Sequence, residues 1–67
     1  MIKYKVDVLE TLKKNGYTTY ALRKKNLLSE STIDKLRYNE YISFDTLDTI
    51  CKLLQCDVKD LIYYDNS

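Results

Sequence analysis

A chain of 67 residues with no proline and one glycine has few places where it can reverse sharply. All-β folds need many tight turns, and most of those turns need glycine or proline. The chain is therefore expected to be all-α, and at this length to form one domain spanning residues 1–67. Its make-up is ordinary for a globular protein, 45% hydrophobic and 31% charged. No apolar run approaches the roughly 18–20 residues of a membrane span, so no membrane partner is expected. The opening MIKYKVDV lacks the apolar stretch of a secretory signal, which points to a cytoplasmic protein.

Apolar spacing divides the chain into five helices. Val6, Leu9 and Leu12 recur at helical intervals, with Val8 alongside, and Asn15-Gly16 ends this segment as a C-cap does. A first helix is expected near 6–15. Thr18 caps a second near 19–25, with Tyr20, Ala21 and Leu22 as its apolar residues, and Asn26 can take the left-handed conformation that closes it. Leu27 and Leu28 then cross the core. Ser29 caps a third helix near 30–38, and residues 39–42 form a turn. Ser43 caps a fourth, in which Leu47, Ile50, Cys51 and Leu54 make the clearest amphipathic stripe in the chain. Asp57, with Asp60 three residues on, caps a short fifth helix bearing Val58, Leu61 and Ile62. The two ends, IKYKV and LIYYD, are rich in β-formers and are able to pair as a two-stranded sheet, within one chain or between two.

The net charge of +1 hides an uneven distribution. Residues 13–38 hold seven cations against two acids, a net of +5, and residues 39–67 hold two cations against six acids, a net of −4. A basic surface on a small domain suits a polyanion partner, although scattered lysines also merely solvate helices. No chemistry of another kind is visible. There is no histidine, no glycine-rich loop and no nucleophile beside a base, so neither an enzyme nor a cofactor is expected. Cys51 and Cys56 lie five apart, which suits neither a redox CxxC nor half of a zinc site. They read as buried or half-buried thiols.

The stretch TYALRKKNLLSESTIDKLRY, residues about 19–38, has a short helix, a tight turn and a second short helix. Leu22, Leu28, Ile33 and Leu36 stand where two such helices pack on each other. This stretch, ALRKKNLLSESTIDKLR within it, and SFDTLDTICKLLQCDVKDLI after it, resembles the Cro/lambda-repressor type of helix-turn-helix domain, in particular the small stand-alone bacterial regulators of that class. The likeness covers nearly the whole chain. It departs from the family where Arg23 stands for a small residue and Leu27 for a turn glycine. Arg23 is expected to lay its stem along the surface with its charge in solvent. Asn26 is expected to supply the left-handed turn residue.

The resemblance implies a five-helix fold, sequence-specific binding of double-stranded DNA, and transcriptional regulation, in the repressor sense. It implies that the third helix enters the major groove N-terminal end first. The base-facing residues are then Ser29, Glu30, Ser31, Thr32, Asp34 and Lys35. Lys35 suits guanine O6 or N7, Glu30 suits cytosine N4, and Ser31 suits either kind of base. Thr32 either touches a thymine methyl or packs at the helix start. Glu30 and Asp34 oppose phosphate binding, and Glu30 has an alternative use in stabilising its helix N-terminus. Phosphate contacts are expected from Thr18 and Thr19, from Lys14, Lys24 and Lys25, and from Arg37, Tyr38 and Asn39. Lys13, Lys52 and Lys59 read as solvated charges. Such proteins generally bind two half-sites as dimers, and Tyr41, Leu61, Tyr63 and Tyr64 are the expected homodimer contacts. Tyr17 and Tyr20 are expected to cover the first two helices. No small-molecule effector is expected. The alternative is a protein-interaction module that keeps the scaffold and has lost DNA contact, which the modest net charge and the two acids of the third helix favour.

Overall fold

The computed structural model describes residues 1–66. The order of elements is β1 (Ile2–Tyr4), α1 (Val8–Lys14), α2 (Thr19–Lys24), α3 (Glu30–Arg37), α4 (Phe44–Leu54), a single 3-10 turn (Val58–Asp60) and β2 (Ile62–Tyr64).

Each helix is bounded by the same local chemistry at both ends. The N-cap side chains of Asp7, Thr18, Ser29 and Ser43 each accept a hydrogen bond from the backbone N–H three residues on. At the other ends Gly16, Asn26, Asn39 and Gln55 all have positive φ. The residue after each donates its N–H to a carbonyl five residues back: Tyr17 to Leu12, Leu27 to Leu22, Glu40 to Lys35 and Cys56 to Cys51. This is the Schellman closure, which a hydrophobic contact between the two residues so joined frequently accompanies. Three of the four pairs are apolar, which is why Tyr17, Leu27 and Cys56 pack on the core although they lie outside the helices. The four-helix frame is therefore set by eight short-range choices in the sequence.

Among the described residues the core is eight buried side chains: Val8, Leu12, Leu22, Leu28, Ile33, Leu36, Ile50 and Leu61. All four residues expected to join the two helices of the motif are among them. Every α-helix contributes, and α1 packs against α3.

Three sequence expectations need correction. The first helix begins at Val8, because Asp7 caps it, and Val6 lies outside the core at 36% exposure. Tyr20 does not cover the first two helices; it is 67% exposed on the outer side of α2. The fifth helix is absent, leaving four α-helices among the described residues. Asp57 and Asp60 form the expected reciprocal cap, but it closes only one 3-10 turn. Beyond it the backbone is drawn into a sheet. Lys5 N–H donates to the Leu61 carbonyl at 2.7 Å, and β1 and β2 pair antiparallel with Ile2 opposite Tyr64, Lys3 opposite Tyr63 and Tyr4 opposite Ile62. The two ends thus pair within one chain.

The sheet is tied to the rest of the fold through Tyr4. Its phenol donates to the Glu40 carbonyl at 2.6 Å, just past the end of α3. Burial pushes the Tyr4 phenol above its ordinary value of 10.0. A raised value means that the folded state holds the proton more tightly than the unfolded chain does. That contribution is complete below about pH 10 and is lost as pH rises through the folded value. Tyr4→Phe is expected to cost about 1 kcal/mol at neutral pH, from the lost hydrogen bond. It should also shrink the loss of stability above pH 10, which urea unfolding at pH 7 and pH 10.5 will measure.

Candidate DNA-binding face

α3 has eight residues and two of them, Ile33 and Leu36, are buried. Its remaining surface is polar. Ser29, Glu30, Ser31, Asp34, Lys35, Arg37, Tyr38 and Asn39 are exposed, and Thr32 is half-buried. A helix held by two anchors and carrying this much exposed polar surface is suited to laying that surface against a ligand.

The hydroxyl groups at its start differ in what they have left to offer. Ser29 Oγ accepts from the Thr32 N–H at 3.2 Å and donates to Thr32 Oγ1 at 3.0 Å. It is engaged in capping. Ser31 Oγ lies 3.2 Å from Ser29 Oγ and faces outward. Thr32 keeps its own hydroxyl hydrogen.

Both acids of α3 are paired with arginines. Arg23, in the last turn of α2, meets Glu30 at 2.5 Å. Arg37 Nη1 donates to Asp34 Oδ1 at 2.9 Å, one turn along α3. Arg23 therefore does not simply point into solvent. It bridges the two helices of the motif and offsets the carboxylate nearest the start of α3. These pairs are exposed, so each adds at most about 1 kcal/mol to stability. Their consequence is electrostatic: both negative charges on the outer face of α3 are locally balanced. Lys35 has no ion-pair partner among the described residues.

The residues expected at phosphates fall into two groups. Thr18 and Thr19, at the start of α2, share one shallow depression with Arg37 from the end of α3 and with Lys13 from α1. Thr18 Oγ1 accepts from the Ala21 N–H at 3.2 Å, so its O–H remains a donor. Asp7 and Glu10 line the same depression and lower its net charge. Lys13, read from sequence as a solvated charge, is brought there by the α1–α2 turn. Lys14 closes α1, Lys24 lies in the last turn of α2 and Lys25 is its C-cap. The Lys24 ammonium sits 5.5 Å from the centre of the exposed Tyr20 ring. Tyr38 is the C-cap of α3, and Asn39 is the left-handed residue that closes it.

The residues expected at a dimer contact divide. Tyr41 is 60% exposed, Tyr63 44% and Tyr64 64%. Leu61 is 2% exposed and belongs to the core, so its side chain is not available to a partner.

The two thiols are free and half-buried, and the Cys56 N–H donates to the Cys51 carbonyl in the Schellman closure of α4. Burial pushes the Cys51 thiol up, and Cys56 beside it adds to the effect. The shift favours the thiol over the more nucleophilic thiolate. No group of histidine, cysteine or carboxylate side chains able to hold a metal ion is present among the described residues. No helix among the described residues is long and apolar enough to cross a membrane.

A comparison with known families also finds a helix-turn-helix domain. A family model described as the Cro/C1-type HTH DNA-binding domain matches residues 8–67, all but the first seven residues of the chain. Neither among curated proteins nor among solved structures does the chain have a significant match. The chain belongs to the Cro/C1-type helix-turn-helix DNA-binding domain family.

Proposed function

We propose that the protein is a sequence-specific transcriptional regulator, acting as a repressor, that reads the DNA major groove with α3 as a homodimer. The observation that carries this reading is the charge balance of α3. Arg23 and Arg37 hold the two acids of its outer face, and Lys35 remains exposed with no ion-pair partner among the described residues, beside an exposed Ser31 whose hydroxyl is hydrogen-bonded to Ser29. A repulsive face becomes one that a polyanion tolerates, with a donor directed at base edges.

The roles follow from what each side chain has free. Lys35 donates to guanine O6 or N7, and Ser31 bonds whichever base edge it meets. Ser29 supports them by capping the helix. Thr32, half-buried with its methyl toward the protein or the groove, is the apolar neighbour for a thymine. Glu30 accepts from cytosine N4 with its second oxygen while Arg23 holds the first. Asp34 orients Arg37, whose remaining N–H groups reach phosphate. Thr18, Thr19 and Arg37 hold the backbone on one side, with Lys14. Lys24, Lys25, Tyr38 and Asn39 extend the positioning contacts, which fix register without reading sequence.

The alternative, a scaffold turned to protein contacts, drew on the modest net charge and on the two acids of α3. Both acids are paired, which weakens the second of these grounds.

The test is binding of duplex DNA at several salt concentrations, followed by fluorescence anisotropy. Affinity is expected to fall with rising salt, by about 0.9 in log–log slope for each phosphate neutralised. Lys14→Ala is expected to weaken binding to all duplexes alike and to reduce that slope by about one contact. A binding constant indifferent to salt would overturn the assignment.

A further inference from the structure

Spacing alone gives Cys51 and Cys56 no reason to meet, but the end of α4 folds them together. Gln55 takes the left-handed conformation and turns the chain back on itself. The Cys56 N–H then reaches the Cys51 carbonyl at 3.1 Å. Standard bond lengths on either side of that bond cap the separation of the two Cα atoms at about 7 Å. Disulfides span Cα separations of about 4.4–6.8 Å. The side chains also meet, since the Cys56 thiol is a hydrogen-bond partner of the Cys51 thiol. Both residues are half-buried and line one broad surface groove, with the exposed Phe44 and Val58 beside them. A small reagent therefore has access to the pair.

We propose that Cys51 and Cys56 form a reversible disulfide within the chain, with a low-molecular-weight disulfide as the oxidant. Oxidised glutathione serves as the example. The Cys56 thiolate attacks one of its sulfurs, the S–S bond breaks, and one glutathione leaves as a thiolate. The Cys51 thiolate then attacks the Cys56 sulfur of the mixed disulfide, and the second glutathione leaves. The chain gives up two electrons and two protons. The oxidant takes both electrons, and its two thiolates take the protons. The order follows from the surroundings. Burial, Cys56, Asp57 and Asp48 together hold Cys51 as the thiol, so Cys56 attacks first. Once Cys56 carries the mixed disulfide, its own charge no longer opposes ionisation of Cys51.

The place of the bond decides its effect. After Cys56 the chain runs through the Asp57 cap to Leu61, which is buried in the core, and on to β2, which holds β1. A disulfide fixes the point at which this closing segment leaves α4. Neither cysteine belongs to α3 or to the residues expected at DNA. The lock therefore acts on the stability of the fold and is independent of the DNA assignment.

The test equilibrates the full chain in mixtures of reduced and oxidised glutathione, with and without denaturing urea, and reads the acid-quenched products by mass spectrometry. The folded chain is expected to become two hydrogens lighter at monomer mass, and dithiothreitol should restore it. The ratio of closed disulfide to mixed disulfide should be at least tenfold higher in the folded chain than in urea. Cys51→Ser and Cys56→Ser should each stop at the glutathione adduct. By linkage, a tenfold preference of the folded state is about 1.4 kcal/mol, or a rise in Tm of about 5–10 °C for the oxidised chain. A ratio that urea leaves unchanged would mean that the closure does not hold the pair, and overturns the proposal. So does a folded chain that stays reduced or stops at the mixed disulfide, or an oxidised chain that melts no higher than the reduced one.

Discussion

Leu22→Ala is expected to leave the chain largely unfolded at 37 °C. Leu22 has no exposed surface, and its carbonyl receives the N–H of Leu27 in the closure of α2. Leucine-to-alanine changes at such sites cost about 2–5 kcal/mol. A domain of this length holds only about 3–10 kcal/mol in total, at roughly 0.05–0.15 kcal/mol per residue. One substitution therefore removes much or all of the margin. Tyr20→Ala, two residues earlier on the exposed side of the same helix, should change stability by no more than about 0.5 kcal/mol. Thermal melts followed by circular dichroism will compare the two. A Leu22→Ala protein that melts within a few degrees of wild type would mean that the core does not centre on the α2–α3 junction.

Lys35→Glu is expected to abolish specific DNA binding while the fold survives. Lys35 is exposed on the outer face of α3, and its side chain has no ion-pair partner among the described residues, so stability should barely change. At the interface the change removes a donor to a base and sets an unpaired carboxylate against the groove. A good base contact is worth about 1–3 kcal/mol of discrimination. The added repulsion should bring the loss in affinity to a hundredfold or more at low salt. Lys35→Ala should lie between. Equal affinity of Lys35→Glu and wild type for a selected duplex would place the base-reading surface elsewhere.

Arg23 allows a finer test of the same face. Arg23→Ala frees the Glu30 carboxylate beside DNA and should weaken binding about tenfold. If the harm comes from the unbalanced charge, the double variant Arg23→Ala, Glu30→Ala recovers most of it. If Glu30 reads cytosine, the double variant stays weak, and discrimination is lost at one base position.

What the sequence made legible, and what it did not, follows from the range of the interactions. Thr18, Ser29, Ser43 and Asp57 were visible as caps because a cap is a contact between near neighbours. Asn15-Gly16 and Asn26 were visible as helix ends for the same reason. Asn39 and Gln55 close α3 and α4 in the same left-handed conformation, but the spacing did not single out either as the left-handed residue of its helix end. Asp7, with Glu10 three residues later, carried a cap signal that the apolar spacing of Val6 overrode. The fifth helix failed for a different reason. Val58, Leu61 and Ile62 fit a helical spacing, but the backbone bond from Lys5 to Leu61 and the pairing with β1 come from the far end of the chain. The β-forming side chains of IYY were the local hint.

In the candidate site the types of residue were legible and their partnerships were not. Arg23 and Glu30 are seven residues apart across a turn, a separation at which no regular helix makes side chains meet. Nor does spacing bring Lys13 beside Thr18, Thr19 and Arg37. Tyr20 followed a helical apolar position and turned outward, because α2 has only six residues and its inner side is filled by Leu22. The exposure of Phe44 was equally hidden, since an apolar residue after an N-cap reads as the start of a buried stripe.

The central claim, that α3 reads base sequence, is tested most directly by selection from a pool of random duplex DNA. The wild-type chain should enrich a short motif, roughly palindromic, with half-sites about one helical turn, or 34 Å, apart. Affinity for that motif should exceed affinity for scrambled duplex by a factor that Lys35→Ala reduces. A folded chain that enriches no sequence at low salt would contradict the account.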